Sequence, residues 1–353
     1  MRILVINCGS TSLKYKLYEA DQQRLSLLAA ASVSMKPGDD APVAGVLAAL
    51  PARPEAVAHR VVHGGDRFTA AVRVDDEILR ALTELTPLAP LHNGPALRAL
   101  EITRTLGVPI IAAFDTAFFA DLPARARRYA LPSILGVHRY GFHGWSHRFV
   151  MNRLAELSGD HEPTLVSLHL GSGCSAAAVR RGKPVDISMG YSPLEGLIMG
   201  TRAGDVDPGV LLHLLHEGWD AERLGRLLHH EAGLKALAGT TDMRELLSRT
   251  DPEAQEAVEL FCYRAVKYVG AYLAALEGEA QALVFTGGIG ENAPEIRERI
   301  CRSLEWAGVR LERRRNARGE ERISAEGSPL VAYAIRTDEE AGIAEEALRL
   351  PSE

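Results

Sequence analysis

Two stretches of this chain repeat one design. Residues 3–18, ILVINCGSTSLKYKLY, run from an apolar strand through a turn of small and hydroxyl residues into an alternating strand that carries Lys14. Residues 165–180, LVSLHLGSGCSAAAVR, do the same with a Gly-Ser-Gly-Cys-Ser turn and a small-residue strand ending on a basic residue. Such a hairpin gathers backbone N–H groups and side-chain donors at one tip, which suits phosphate, whereas a single copy would be an ordinary polar turn. Gly9 and Gly171 stand nearly half a chain apart. The simplest fold therefore has two related domains, each offering one hairpin to a shared cleft. With 353 residues, 46% hydrophobic and 24% charged, the chain is long enough for two cores.

A formal net charge of −6 and a pI near 6.1 argue against a nucleic-acid partner, whose binders carry a basic face. Any anionic ligand must be met by individually placed arginines. Cys8, Cys174, Cys262 and Cys301 lie far apart without CxxC spacing, which points away from a zinc knuckle or a disulfide framework and toward a reducing compartment. The N-terminus reads as a strand without a basic leader, and no apolar run is long enough to span a membrane. A cytoplasmic protein with no membrane partner is expected.

Along the chain, residues 19–55 read as strand, loop, short helix and loop. Residues 56–62 form a buried strand that ends in HGGD, and residues 75–85 have helical spacing. A proline-punctuated loop over 86–95 is expected to carry His92 and Asn93 into a helix over 96–106. The apolar run 108–114 delivers Asp115 at the C-terminal edge of a central strand, where an acid faces a cleft. A helix near 147–157 follows, and the Gly/Asp/Pro break at 158–163 marks a domain boundary and a hinge. Glycines crowd around Arg202, which implies a loop pressed against a ligand or another backbone. Residues 208–230 and 252–277 read as helices. The strand at 282–285 runs through TGGIGEN into a helix at 294–304, placing helix N-terminal amides beside a glycine turn. The closing helix begins near 338 with Thr337 as its N-cap.

INCGSTSLKY, AHRVVHGGDRF, LAPLHN, FDTAF, RYGFHGWSH, HLGSGCS, DISMGYSPLEGLIMGTRAGDVDP, VFTGGIGEN and TDEEAGIA occur in the order found in acetate kinases and their propionate and butyrate kinase relatives. The resemblance spans residues 1–349. It implies the α/β architecture of the acetate and sugar kinase, heat-shock chaperone and actin superfamily: two duplicated actin-like (ribonuclease H-like) domains with a cleft between them. On this reading, residues 1–157, completed by the C-terminal helix 338–353, form one domain; residues 158–337 form a second that binds nucleotide and dimerises. The implied activity is reversible Mg2+-dependent phosphoryl transfer from ATP to acetate, and also propionate, giving acetyl phosphate and ADP in a homodimer.

The same resemblance distributes roles. Arg60 and Arg202 match the two active-site arginines, whose planar forks fit oxyanions. His143 matches the donor to the transferring phosphoryl, His92 a weaker histidine, and Asp115 the essential aspartate that orients Mg2+ or water. Asn7 and Glu339 match the remaining metal-proximal residues, a sparse shell that suits Mg2+. Ser10, Ser12 and Lys14 match the first phosphate motif, and His169, Gly171, Ser172 and Gly173 the second. Gly287, Gly288, Gly290 and Asn292 resemble the nucleoside pocket, with Asp242 and Arg244 beside it. Val62, Leu91, Phe142 and Pro193, with Arg60, match the acyl pocket. Loose phosphoryl transfer needs alignment and cationic clamping rather than an enzyme nucleophile, and these residue types supply both.

The chain departs from the family at Ser172, where Asn is usual, at Phe119 and Trp145, where His and Thr are common, and at Asp338, where Asn is usual. Propionate or butyrate preference and pyrophosphate as donor stay open. A dinucleotide-dependent dehydrogenase is one rival, built on Gly288-x-Gly290-x-x-Ala293 with Glu312 as the distal acid at the end of a strand, before a basic, polar stretch. A metal hydrolase on His59/His63 and His143/His147 is another, and a non-catalytic nucleotide sensor a third.

Overall fold

The computed structural model describes residues 1–9, 12–21, 24–36, 39 and 41–350, without the side chains of 90–92. The chain divides into two compact units, Met1–Ala120 with Phe142–Arg148 and Asp338–Glu353, and Asp121–Gly141 with Phe149–Thr337.

In the first unit, β1 (Arg2–Cys8), β2 (Ser12–Asp21), β3 (Arg24–Ser34), β4 (Ala56–Val61), β5 (Val72–Arg73) and β6 (Ile110–Phe114) form one sheet. Its order is β3-β2-β1-β4-β6-β5. β1, β2 and β3 are an antiparallel meander, while β4 and β6 continue from β1 in parallel. The alternation of β1 explains why the sheet is covered on both faces. Leu4 and Ile6 enter one core with Val57, Leu82, Leu100 and Phe114; Ile3 and Val5 enter another with Trp145 and with Ile343 and Ala347, the last two on the C-terminal helix.

The second unit repeats this plan with β7 (Leu165–Leu170), β8 (Cys174–Arg180), β9 (Lys183–Ile187), β10 (Ala282–Thr286) and β11 (Val331–Ala334). The order β11-β10-β7-β8-β9 mirrors β6-β4-β1-β2-β3, again a meander continued by parallel strands. The duplication read from the two hairpins is thus a duplication of whole sheets.

Several elements differ from expectation. The loop over 86–95 is instead a single 3-10 turn, Thr86–Leu88, followed by the helix Pro90–Arg104. Pro90 opens that helix where a missing N–H costs nothing, and Pro95 sits one turn further in. The helix expected near 147–157 begins earlier, at Gly144. The region 208–230 is not one helix: Pro208–His216 stops before Gly218, and Ala221–Arg226 restarts from an Asp220 cap. Asp338, not Thr337, caps the closing helix Glu339–Arg349 through Ala341 N–H. Among the described residues, no helix is long and apolar enough to cross a membrane.

Candidate functional site

Adjacent parallel strands β1, β4 and β6 bring Asn7, Arg60 and Asp115 to one sheet edge. Arg60 Nε and Nη2 donate to the two Asp115 oxygens at 2.8 and 2.6 Å, and Nη1 donates to Asn7 Oδ1 at 3.1 Å. Glu339 Oε2 lies 3.7 Å from Arg60 Nε. Asp115 is buried at 1% exposure, so this fork-on-fork pair works in a weakly screened setting. Burial pulls the Arg60 guanidinium down, but Asp115, Glu339 and Glu340 outweigh it and hold it above its ordinary value. Burial, then the Asp115 and Glu340 charges, push the Glu339 carboxyl up against the pull of Arg60.

Three further residues join this cluster without a role assigned from the sequence. Glu340 accepts from Asn7 Nδ2 at 3.2 Å. Lys16, rather than the exposed Lys14, reaches Asp338 Oδ2 at 2.7 Å and Glu340 Oε2 at 3.6 Å. Tyr18 also donates to Asp338, so the acid that departs from the family's usual Asn is held from two sides. Lys14, Lys16 and Tyr18 share one face of β2 by simple alternation, the signal that could have found them.

Phe142 is buried with its ring edge-on to His63, centroids 5.6 Å apart. His143 follows at φ +56°, a left-handed conformation uncommon outside glycine. Its neighbour Gly144 allows the turn, since a Cβ there would fall 1.9 Å from the Asp115 carbonyl oxygen. The backbone bearing His143 is thereby packed directly on the backbone bearing Asp115. Val62 is half-buried. His92 and Leu91 lie in the first turn of Pro90–Arg104 with side chains outside the described residues, as Ser10 is altogether. Asn93, given no role above, accepts from His63 N–H and donates to His63 O.

In the second unit the β7–β8 turn closes with Gly171 N–H donating to Gly173 O at 3.1 Å, as Gly9 N–H does to Ser12 O at 2.8 Å in the first. A Cβ on Gly171 would lie 3.6 Å from His169 Nε2 and 3.7 Å from Gly288 N, so this turn adjoins GGIGEN, which is not the glycine turn expected but a short helix, Gly287–Asn292. Ser172 is exposed, and its carbonyl accepts from Gly200 N–H at the head of the Arg202 loop. Gly287 takes φ +77° against Leu170. Glu291 ties down this short helix by accepting from Gly287 and Thr337 N–H groups, and Asn292 donates to Gly288 O. Gly290 is buried. Asp242 and Arg244 form an exposed ion pair at 2.6 Å at the start of the helix Met243–Ser248, which Asp242 caps.

Arg202 is the opposite of Arg60. It is half-buried, donates to Pro193 O at 2.7 Å, and has no carboxylate partner among the described residues. Burial pushes its guanidinium below the ordinary arginine value, since only the weak Cys174 thiol opposes that effect. A desolvated cation without a counter-charge favours an anionic ligand.

The geometry corrects the dehydrogenase alternative. Glu312 does not end a strand; its carboxylate accepts from Arg314 and Arg315 N–H groups and caps the helix Arg313–Arg318, so the acid the fingerprint requires is engaged with backbone. In the His59/His63 pair, the His59 ring pairs with Thr103 at 2.7 Å, while His63 Nδ1 accepts from Gly65 N–H. The oxygens of Asn7, Asp115 and Glu339 are hard donors of the kind Mg2+ takes. Arg60 already engages Asp115 and Asn7, and among the described residues no three His, Cys, Asp or Glu side chains are grouped to hold an ion directly. The set therefore fits a cation that keeps much of its water.

Duplicated sheets with this topology define the two-domain actin-like fold. The sequence model described as the Acetokinase family matches residues 48–345. The chain is 46% identical over 313 residues to the acetate kinase of Chloroherpeton thalassium, covering 83% of this chain and 75% of that one. It is 39% identical over 407 aligned residues to the acetate kinase of Solibacter usitatus, covering 99% and 98%. The crystal structure of Porphyromonas gingivalis acetate kinase superposes with a TM-score of 0.88 at 36% identity, covering 98% of each chain. A propionate kinase from Francisella tularensis superposes at 0.89 with 32% identity, again covering 98% of each. The chain belongs to the acetokinase family, carboxyl-group phosphotransferases.

Proposed function

We propose that the protein transfers the terminal phosphoryl of ATP reversibly to acetate, with propionate as a secondary acceptor, giving acetyl phosphate and ADP. The carrying observation is Arg202, a desolvated guanidinium that lacks a carboxylate partner. An anionic acid or phosphoryl group supplies the missing charge, while Arg60, already fixed by Asp115 and Asn7, offers a preorganised cation. His143 donates to the phosphoryl oxygens, and His92 assists. Asn7, Asp115 and Glu339 would hold Mg2+ largely through its water, and the ion would there offset phosphate charge. Ser10, Ser12, Lys14 and the 169–173 turn hold phosphates; the short helix over 287–292, Asp242 and Arg244 hold the nucleoside. Val62, Leu91, Phe142 and Pro193 border the acyl group. The propionate kinase likeness supports the secondary acceptor.

We further propose a cytoplasmic homodimer formed through the second unit. The helix Pro208–His216 buries none of its residues, and Leu212 and Leu215, one turn apart on the same side, are 58% and 45% exposed, an apolar patch that a second copy would cover. Sedimentation should show a dimer at micromolar concentration, and a monomer alone would contradict it. The activity is tested in reverse: acetyl phosphate and ADP should yield ATP with Mg2+, and chelation of the metal should abolish it. No ATP in the presence of Mg2+ would overturn the reading.

A further inference from the structure

The loop from β9 to Arg202 is pinned by a cluster that the reaction as described does not use. Tyr129 donates its hydroxyl proton to Glu195 Oε2 and accepts from Tyr191 N–H at 2.9 Å. Arg139 Nη2 donates to Glu195 Oε1 at 2.6 Å, while its Nη1 donates to Ile187 O at 3.0 Å and Ser188 O at 3.3 Å. Tyr140 and Gly141 N–H groups both donate to Gly190 O. Gly190 itself has no room for a side chain, because a Cβ would fall 1.8 Å from Glu195 Oε2 and 2.1 Å from Tyr129 Oη.

The loop is therefore fixed on both sides of Pro193, at 187–191 and at 195. Pro193 O is in turn the one hydrogen-bond acceptor that Arg202 has among the described residues. The path from cluster to cation is short: Tyr129 and Arg139 hold Glu195 and the loop, the loop holds a carbonyl, and the carbonyl aims a guanidinium.

We propose that Tyr129, Arg139 and Glu195 are positioning residues for phosphoryl transfer, acting on Arg202 through the Pro193 carbonyl; this rests on the function proposed above. None of the three needs to touch substrate. Burial, reinforced by Glu195, raises the Tyr129 phenol to about 12, so its hydroxyl keeps the proton it donates. A misplacement of a reacting group by about an ångström is enough to cost a large factor in rate.

Tyr129→Phe tests this, since it keeps the ring that lies 5.6 Å from the Arg139 guanidinium carbon and removes only the hydroxyl. Turnover at saturating substrates should fall roughly tenfold, with ATP KM within about twofold and the protein still folded at the assay temperature, its unfolding midpoint lowered only modestly by the two lost hydrogen bonds. In an Arg202→Ala background the same change should cost less than about twofold, because groups acting through one residue are non-additive. Glu195→Gln should follow the same pattern. Wild-type turnover in Tyr129→Phe, or an equal loss in both backgrounds, overturns the proposal. If the wild type forms no acyl phosphate, phenylglyoxal labelling of Arg202, read by peptide mass spectrometry, decides the matter without activity. Faster labelling in Tyr129→Phe supports the clamp, and equal rates overturn it.

Discussion

Asp115→Asn should expose how strongly the first-unit cluster depends on one charge. The substitution preserves shape but leaves one carbonyl oxygen where two carboxylate oxygens accept from Arg60 at 2.8 and 2.6 Å. Removing one partner of a buried ion pair costs about 3–5 kcal/mol because the other charge stays behind. Here Asn7 Oδ1 at 3.1 Å and Glu339 at 3.7 Å still face the guanidinium, which places the cost at the lower end, about 3 kcal/mol. With an m value of about 3 kcal/mol/M, the urea midpoint should fall by about 1 M. Turnover should fall at least about a hundredfold, as an imprecisely held cation no longer meets the developing phosphoryl charge. Adding Arg60→Met should recover part of the stability and none of the activity. An Asp115→Asn protein with wild-type urea midpoint and turnover would refute the reasoning.

His59 is fully buried, and burial depresses its imidazole from 6.5 to about 3. The folded state resists the proton that the unfolded state accepts below 6.5, so stability is lost as pH falls through that window, by about 2 kcal/mol at pH 5; urea unfolding of His59→Gln should show a flatter pH profile between 7 and 5. Glu339→Gln should raise the unfolding midpoint at neutral pH while abolishing turnover, because burial raises the Glu339 carboxyl and penalises its ionised form; a lowered midpoint would count against that sign. Val62→Ala should shift the ratio of propionate to acetate use upward by about tenfold, as one methylene is worth about 1–3 kcal/mol in such a pocket, and an unchanged acid profile would exclude Val62 from it.

The parts of the fold legible in the sequence are those written in short periods. The two hairpins announce themselves by strand alternation and small-residue turns, and the runs 56–62, which carries Arg60, and 108–114, which delivers Asp115, read as buried strands because sheets covered on both faces need apolar residues throughout. Pro90 and Pro95 misled the reading of Pro90–Arg104, since proline punctuates loops and opens helices alike. The break at Gly218 and Asp220 was readable, a glycine stop followed by an aspartate cap, but the apolar run on either side concealed it. Tyr129, Arg139 and Glu195 carry no local pattern at all; only tertiary closure brings residues some sixty positions apart onto one loop. Lys16 was missed for a smaller reason, since Lys14 is nearer the turn and β2 exposes the nearer one.

The most direct measurement is a hydroxylamine trap of acyl phosphate, run with Mg2+ and either ATP or pyrophosphate across formate, acetate, propionate and butyrate. The account predicts ATP-dependent hydroxamate with acetate first, propionate second and butyrate poorly used, and at least about a hundredfold less product from Arg202→Ala of intact fold. No hydroxamate from any acid, or undiminished product from Arg202→Ala, would contradict it.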